Sequence, residues 1–255
     1  MSLHYGFDSL PHFRRPAATV GSYDGVHAGH GALLRAVREE AERRGGESIV
    51  LSFDPHPRVT LGRAEGLQLL TTVEEKALLL ERAGIDHLVV IPFDEAFSRL
   101  TPDVFVRDLL IGRLGIEALV VGYDHRFGHD QRGDTGCLDR LRTETGLHVV
   151  RIAEYASESG GKVSSTVLRN LIGQGDLRGA ARLLGHPYLL IGEACGREIR
   201  IAEPLKLLPP PGRYRATAGE CAAPLELTVG TDGRLMSNRD LPSGRIVIAF
   251  ESCLL

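Results

Sequence analysis

The chain has 255 residues, 43% of them apolar, enough to bury the core of one large α/β domain or of an ordinary domain plus a small one. Its 30 basic and 33 acidic side chains leave a net charge of −3, with no long basic run, which excludes general attraction to nucleic acid or to an anionic membrane. No stretch approaches the roughly 20 apolar residues of a membrane span, no leader-like basic and apolar pair opens the chain, and the four cysteines (Cys137, Cys195, Cys221, Cys253) are too scattered for a metal motif, so free thiols in a reducing cytoplasm are expected.

Ala17 to Val20 is a short apolar run that ends in the glycine-rich stretch Gly21 to His30. Leu33, Leu34, Val37 and Ala41 then recur at helical spacing. Ser48 to Phe53 predicts a buried strand, Thr72 and Glu75 form a capping-box pattern ahead of a helix, and His87 to Ile91 predicts the next strand. Thr101-Pro102 starts a further helix, with Thr as N-cap and Pro in the first turn. Ala118 to Val121 is a strand closed by Gly122, Leu138 to Thr145 a helix, and His148 to Ile152 a strand. Two helices follow, at Ser165 to Ile172 and Asp176 to Leu184. Strands alternating with helices predict a parallel sheet covered on both faces, with ligands beyond the carboxyl ends of the strands.

After Gly185-His186-Pro187 the pattern changes. Tyr188 to Gly192, Arg213 to Thr217, Leu225 to Val229 and Arg245 to Phe250 read as strands separated by turn residues, and no helical period is present. The chain therefore divides at the sequence level into an α/β domain, residues 1–186, and a small all-β domain, residues 187–255, whose inward positions are expected to be Leu189, Ile191, Leu225, Leu227, Val229, Ile246 and Ile248.

Four segments carry candidate chemistry, and each follows a predicted strand. In Gly21-Ser22-Tyr23-Asp24-Gly25-Val26-His27-Ala28-Gly29-His30, glycines allow close backbone approach to a ligand, and the following helix start presents free N–H groups that suit phosphate. His27 and His30, three residues apart, can donate to phosphate oxygens; two solvent-exposed loop histidines are the plain alternative, and no third ligand is spaced for zinc. Phe53-Asp54-Pro55-His56-Pro57 is a rigid turn or an ordinary strand exit. Gly122-Tyr123-Asp124-His125-Arg126-Phe127-Gly128 gathers carboxylate, imidazole and guanidinium, or is a solvated polar loop. Val163-Ser164-Ser165-Thr166-Val167-Leu168-Arg169 places hydroxyls at a helix start, where one would serve as a cap, and Arg169 one turn beyond Ser165; together these suit a polyphosphate.

The ordered set resembles the bacterial bifunctional riboflavin kinase/FAD synthetase family, within the nucleotidyltransferase superfamily. His27-Ala28-Gly29-His30 is similar to the HxGH signature and Ser164 to Arg169 to the SSTxxR signature, and the resemblance runs over residues 16–187. It implies a Rossmann-like nucleotidyltransferase domain followed by a kinase β-barrel. It also implies a substrate-binding set of Gly21, Ser22, Tyr23, Asp24, Gly25, Phe53, Pro55, His56, Pro57, Asp124, Arg126, Phe127, Ser164, Ser165 and Thr166, with His27, His30 and Arg169 acting at the ATP phosphates. Ser22 stands where the family often has Asn, and Asp124 where it has Asn or Asp.

The kinase part departs from the family. Gly196-Arg197 is followed by Glu198-Ile199-Arg200-Ile201, no Pro-Thr-x-Asn occurs, and Leu255 comes just after a strand resembling the one before the family's catalytic Glu. The expectation is an enzyme that moves AMP from Mg·ATP to FMN, giving FAD and pyrophosphate, with riboflavin kinase activity lost and with adenylyl transfer retained by a chain cut after His186. Its partners are small molecules. Transfer to another phosphorylated acceptor, or a non-catalytic flavin- or nucleotide-binding regulator, remain open at this point.

Overall fold

Five apolar, β-branched runs, each closed by glycine, proline or a polar turn, form strands where the sequence predicts them. In the computed structural model, which describes residues 1–123, 127–128, 133–153, 163–219 and 223–254, they follow an additional first strand. The α/β part comprises β1 (Ser2–Tyr5), β2 (Ala17–Val20), α1 (Ala28–Arg44), β3 (Ser48–Asp54), α2 (Pro57–Thr60), α3 (Val73–Arg82), β4 (His87–Pro92), α4 (Glu95–Ser98) and α5 (Pro102–Val104). A π-helical stretch, Phe105–Ile111, continues α5, and β5 (Ala118–Gly122), α6 (Thr135–Thr145), β6 (His148–Ile152), α7 (Ser165–Gly173) and α8 (Leu177–Leu184) complete it. The predicted caps are present: Thr101 accepts from Val104 N at 3.3 Å, and Thr72 and Glu75 each accept from the other's backbone N–H, at 3.2 and 2.9 Å.

The six strands form one parallel sheet in the order β1-β4-β3-β2-β5-β6. The chain steps outward from β2 through β3 to β4, then returns to the other side of β2 with β5. That reversal is a topological switch point, and it opens a crevice at the carboxyl end of β2. By internal contacts, Met1–Tyr23, Gly29–Leu67 and Ala77–Tyr155 make one compact unit, whose core packs Val20, Ile49, Leu51, Val89, Phe105, Leu119 and Leu141.

The second unit comprises Asp24–Ala28, Gln68–Lys76 and Ala156–Leu255. It holds the antiparallel strands β7 (Tyr188–Arg200), β8 (Gly212–Ala218), β9 (Ala223–Val229) and β10 (Leu235–Leu254). β7 and β10 are far longer than predicted, because the bulges between Met236 and Gly244 let β10 bend without ending. The first part of β10 pairs with β9 and the last part with β8, while β8 and β9 pair with each other, so these three strands close on themselves. Leu225, Leu227, Val229, Ile246 and Ile248 face the core as expected. On β7 the positions that enter that core are Tyr188, Leu190, Ala194 and Ile199; Leu189 and Ile191 are also buried, on the alternate side of the strand.

Contacts group the chain differently from the division at His186. The apolar faces of α7 (Leu168, Ile172) and α8 (Leu177, Ala180, Leu184) pack in the same cluster as Tyr188, Leu190, Ile248 and Phe250. Exposing side chains of this size costs about 1.5–3 kcal/mol each, against a total stability of about 5–15 kcal/mol for a typical domain. This packing counts against independence of residues 1–186. A chain ending at His186 is expected to lose the cooperative melting of the full chain and to aggregate on mild heating; equal thermal transitions by circular dichroism would contradict this.

Candidate active site

The loop after β2 begins in the first unit. Gly21 N donates to Leu51 O at 3.1 Å, and Ser52 Oγ donates to Ser22 O at 3.1 Å, which holds the strand end against β3. Tyr23 is buried, with its hydroxyl 2.7 Å from Thr19 Oγ1, and its backbone has φ 47°. Burial pushes its phenol well above the ordinary value, and the Thr19 hydrogen bond opposes this. Tyr23 is thus packed beneath the loop, held by Thr19. His30 stands in the first turn of α1 with its ring 4.9 Å from that of Tyr23.

Beside this strand end lies a cavity of about 400 Å³ at the carboxyl ends of the parallel strands. Gly21, Ser22, Phe53, His56, Pro57 and Phe127, all expected from sequence, line it. Pro55 is outside the lining, and His56 also caps α2 by accepting from Arg58 N. The sequence reading missed Phe93, Phe97 and Phe105, which join Phe53 and Phe127 in a chain of rings with centroids 5.3 to 5.9 Å apart. Five of the chain's eight phenylalanines thus face one cavity, which suits a large flat apolar ring. Asp124 and Arg126 lie outside the described residues.

In the second unit the loop continues with Asp24, whose buried carboxylate organises its surroundings. Oδ1 accepts from Leu70 N and Thr71 N at 2.9 and 3.0 Å, and Oδ2 accepts from Arg169 Nη2 at 2.5 Å. Ser165 Oγ donates to Asp24 O at 3.1 Å, and Arg169 Nε donates to Gln68 O at 2.6 Å. Gly25 N donates to Thr71 Oγ1 at 3.0 Å. Gly25 has φ 86°, and a Cβ there would lie 2.9 Å from Leu70 Cδ1, so the position requires glycine. Val26 follows at φ 42°, an uncommon conformation for a β-branched residue that typically costs about 1–3 kcal/mol and concentrates at functional sites.

Asp24 thus draws the His27-containing loop to the start of α7. Ser164 Oγ accepts from Val167 N at 3.4 Å as the helix cap, the plain role allowed for it, and Thr166 is exposed. His27 is only 7% exposed, and burial lowers its pKa to about 4; Asp24 opposes the shift and His186 adds to it. His186 sits with Nε2 3.1 Å from Gly25 O. The free protein therefore presents His27 as a neutral imidazole at pH 7.

Native His27 holds its proton less tightly than the unfolded chain does, whose value lies near 6.5. Its contribution to stability is full above pH 6.5 and is lost as pH falls through that value toward 4, roughly 3 kcal/mol in all. Denaturant titrations from pH 7 to 4 are expected to show this loss in the parent and a flatter profile in His27→Gln; parallel profiles would contradict it.

The FAD synthetase family matches residues 10–167. The bifunctional riboflavin kinase/FMN adenylyltransferase of Escherichia coli K12 is 35% identical over 174 residues, covering 68% of this chain and 55% of that protein. The enzyme of the same name from Listeria monocytogenes is 34% identical over 186 residues, 71% of this chain and 58% of that one. The chain thus spans little more than half the length of these curated relatives. Among solved structures, a macrolide-efflux protein from Streptococcus pneumoniae superposes with a TM-score of 0.81 at 21% identity, covering 99% of this chain and 90% of that one, and shares the fold. With the family's match covering the loop after β2, the aromatic cavity and the start of α7, the chain belongs to the FAD synthetase family.

Proposed function

We propose that the chain is an FMN adenylyltransferase. The observation that carries this reading is the Asp24 node, which ties the Asp24–Ala28 loop, His27 included, to Ser165 and Arg169 of the SSTxxR segment. The phenylalanine-lined cavity supports FMN as the acceptor, since an apolar, ring-lined cavity suits an isoalloxazine ring. Both relatives' names carry the same activity.

In this mechanism an FMN phosphate oxygen attacks the α-phosphorus of Mg·ATP in line, and pyrophosphate leaves. No protein nucleophile is needed; the protein positions two anions and stabilises charge on the transferring group. His27 and His30 donate to phosphate oxygens, with the helix start of α1 behind them. The triphosphate raises the proton affinity of His27, so binding is accompanied by proton uptake. Arg169 acts through Asp24 and Gln68 as well as by its charge, and Ser165 fixes the Asp24 carbonyl. Asp124 is assigned to the nucleotide on sequence alone. Magnesium enters with ATP, and the reaction is placed in the cytoplasm, where the three described free thiols, Cys137, Cys195 and Cys253, stay reduced.

Residues 187–255 are proposed to be a kinase-like frame without kinase activity. The stretch after Gly196 runs on as the end of β7, where Arg200 pairs with Glu198 in the strand. The Pro-Thr-x-Asn segment that would hold nucleotide and metal is missing.

Purified protein given FMN and Mg·ATP is expected to yield FAD, read by flavin chromatography; a folded, concentrated sample that makes none would sink the proposal. His27→Ala and His30→Ala should each lower kcat by about 10²–10³ while leaving the fold in place, and full activity in both would remove the histidines from the phosphate site. Riboflavin with Mg·ATP should give no FMN, and its appearance would show a working kinase.

A further inference from the structure

The short segment Gln68–Thr71 faces two ways. Toward the phosphate loop, Gln68 O accepts from Arg169, and Leu70 N and Thr71 N donate to Asp24. Toward the β-strands, Leu69 N donates to Leu205 O at 2.7 Å and Leu207 N donates to Leu69 O at 2.9 Å, which makes Leu69 a bridge partner of Lys206. The segment is therefore an extended strip between the Asp24 node and the residues after β7.

Lys206 closes this strip. Its side chain is fully buried, and its Nζ donates to Leu70 O at 2.7 Å, Glu75 Oε2 at 2.5 Å and Leu189 O at 2.9 Å. An ammonium has three protons, and these three acceptors use them all. The Tyr188 ring lies 4.4 Å below it. Glu75 is equally engaged: Oε1 accepts from Ile191 N at 2.8 Å, and Oε2 from Thr72 N at 2.9 Å. Leu70 thus holds Asp24 by its N–H and Lys206 by its carbonyl.

We propose that Lys206 is a positioning residue for the ATP site, and that the β-strand frame serves adenylyl transfer by holding Gln68–Thr71 against Asp24. This deepens the adenylyltransferase reading and rests on it. Fully satisfied buried ions fix one geometry, and the groups fixed here are the donors that hold Asp24 and, through it, Arg169. Burial lowers the ammonium's pKa from its ordinary value, and Glu75 beside it opposes the shift.

Hydrogen exchange on the unmodified chain gives the first test, after ATP-dependent FAD formation has been established in the same preparation. A saturating non-hydrolysable Mg·ATP analogue should slow exchange in peptides covering both 68–76 and 203–208 by roughly 5-fold or more, the lower end of ordinary site-to-site coupling. Unchanged exchange in 203–208 would overturn the role of Lys206 while leaving the adenylyltransferase reading intact. If FAD formation itself is absent, that reading fails first.

The second test uses Lys206→Met/Glu75→Gln, which removes both charges and avoids a lone buried ion. Leu227→Ala, in the same core but outside this network, serves as a control matched for loss of melting temperature. The double variant should raise KM for ATP by about 10-fold or more, with Kd for FMN held within about twofold, and the control should leave KM for ATP near the parent value. A folded double variant with parental KM, or a control that raises KM equally, would reduce the pair to a structural role.

Discussion

The buried carboxylate of Asp24 is the constraint on which the segments around it depend. Burying such a group is strongly unfavourable unless its lone pairs are occupied. Two backbone amides and a guanidinium occupy them, and each comes from a segment distant in sequence. Satisfying one side chain therefore fixes the loop after β2, the strip at Gln68–Thr71 and the first turn of α7 together. The left-handed backbone at Gly25 and Val26 persists because these bonds over-determine it.

The aromatic cavity of the first unit rests on topology. The reversal of strand order between β2 and β5 opens a crevice at their carboxyl ends, with the end of β3 beside it. Phenylalanines from β3, α4, the loop after β4 and the π-helical stretch then wall it. Five ring-bearing side chains around one cavity suit a planar apolar ligand.

Much of this was legible in the sequence because it is local. Strand runs, the Thr72–Glu75 box, the Thr101 cap and the signature residues His27, His30 and Ser164 to Arg169 all announce themselves within a few positions. What was missed depends on contacts across the chain or has no pattern. Ser2–Tyr5 is too short and mixed to alternate, yet it finds β4 as a parallel partner. Phe93 and Phe97 read as ordinary apolar residues until the parallel pairing of β3 with β4 brings them beside Phe53. The lengths of β7 and β10 were hidden by the polar residues around the bulges. The burial of Tyr23 and Asp24 has no mark in the sequence, since the partners that fill around Asp24 come from residues 70, 71 and 169. Lys206 did leave a trace: a lone lysine within Leu205-Lys206-Leu207-Leu208-Pro209 is an expensive residue to bury, and such a run is a place to look for a hidden carboxylate.

Isotope partition separates adenylyl transfer from phosphorylation. The full chain is incubated with riboflavin or FMN and Mg·ATP labelled with phosphorus-32 at either the α or the γ position, and the flavins are separated. Adenylyl transfer without kinase activity puts α-label in FAD when FMN is supplied, γ-label only in pyrophosphate and unspent ATP, and no label on riboflavin. Label from the γ position on any flavin, or no α-label in flavin from folded protein, would contradict it.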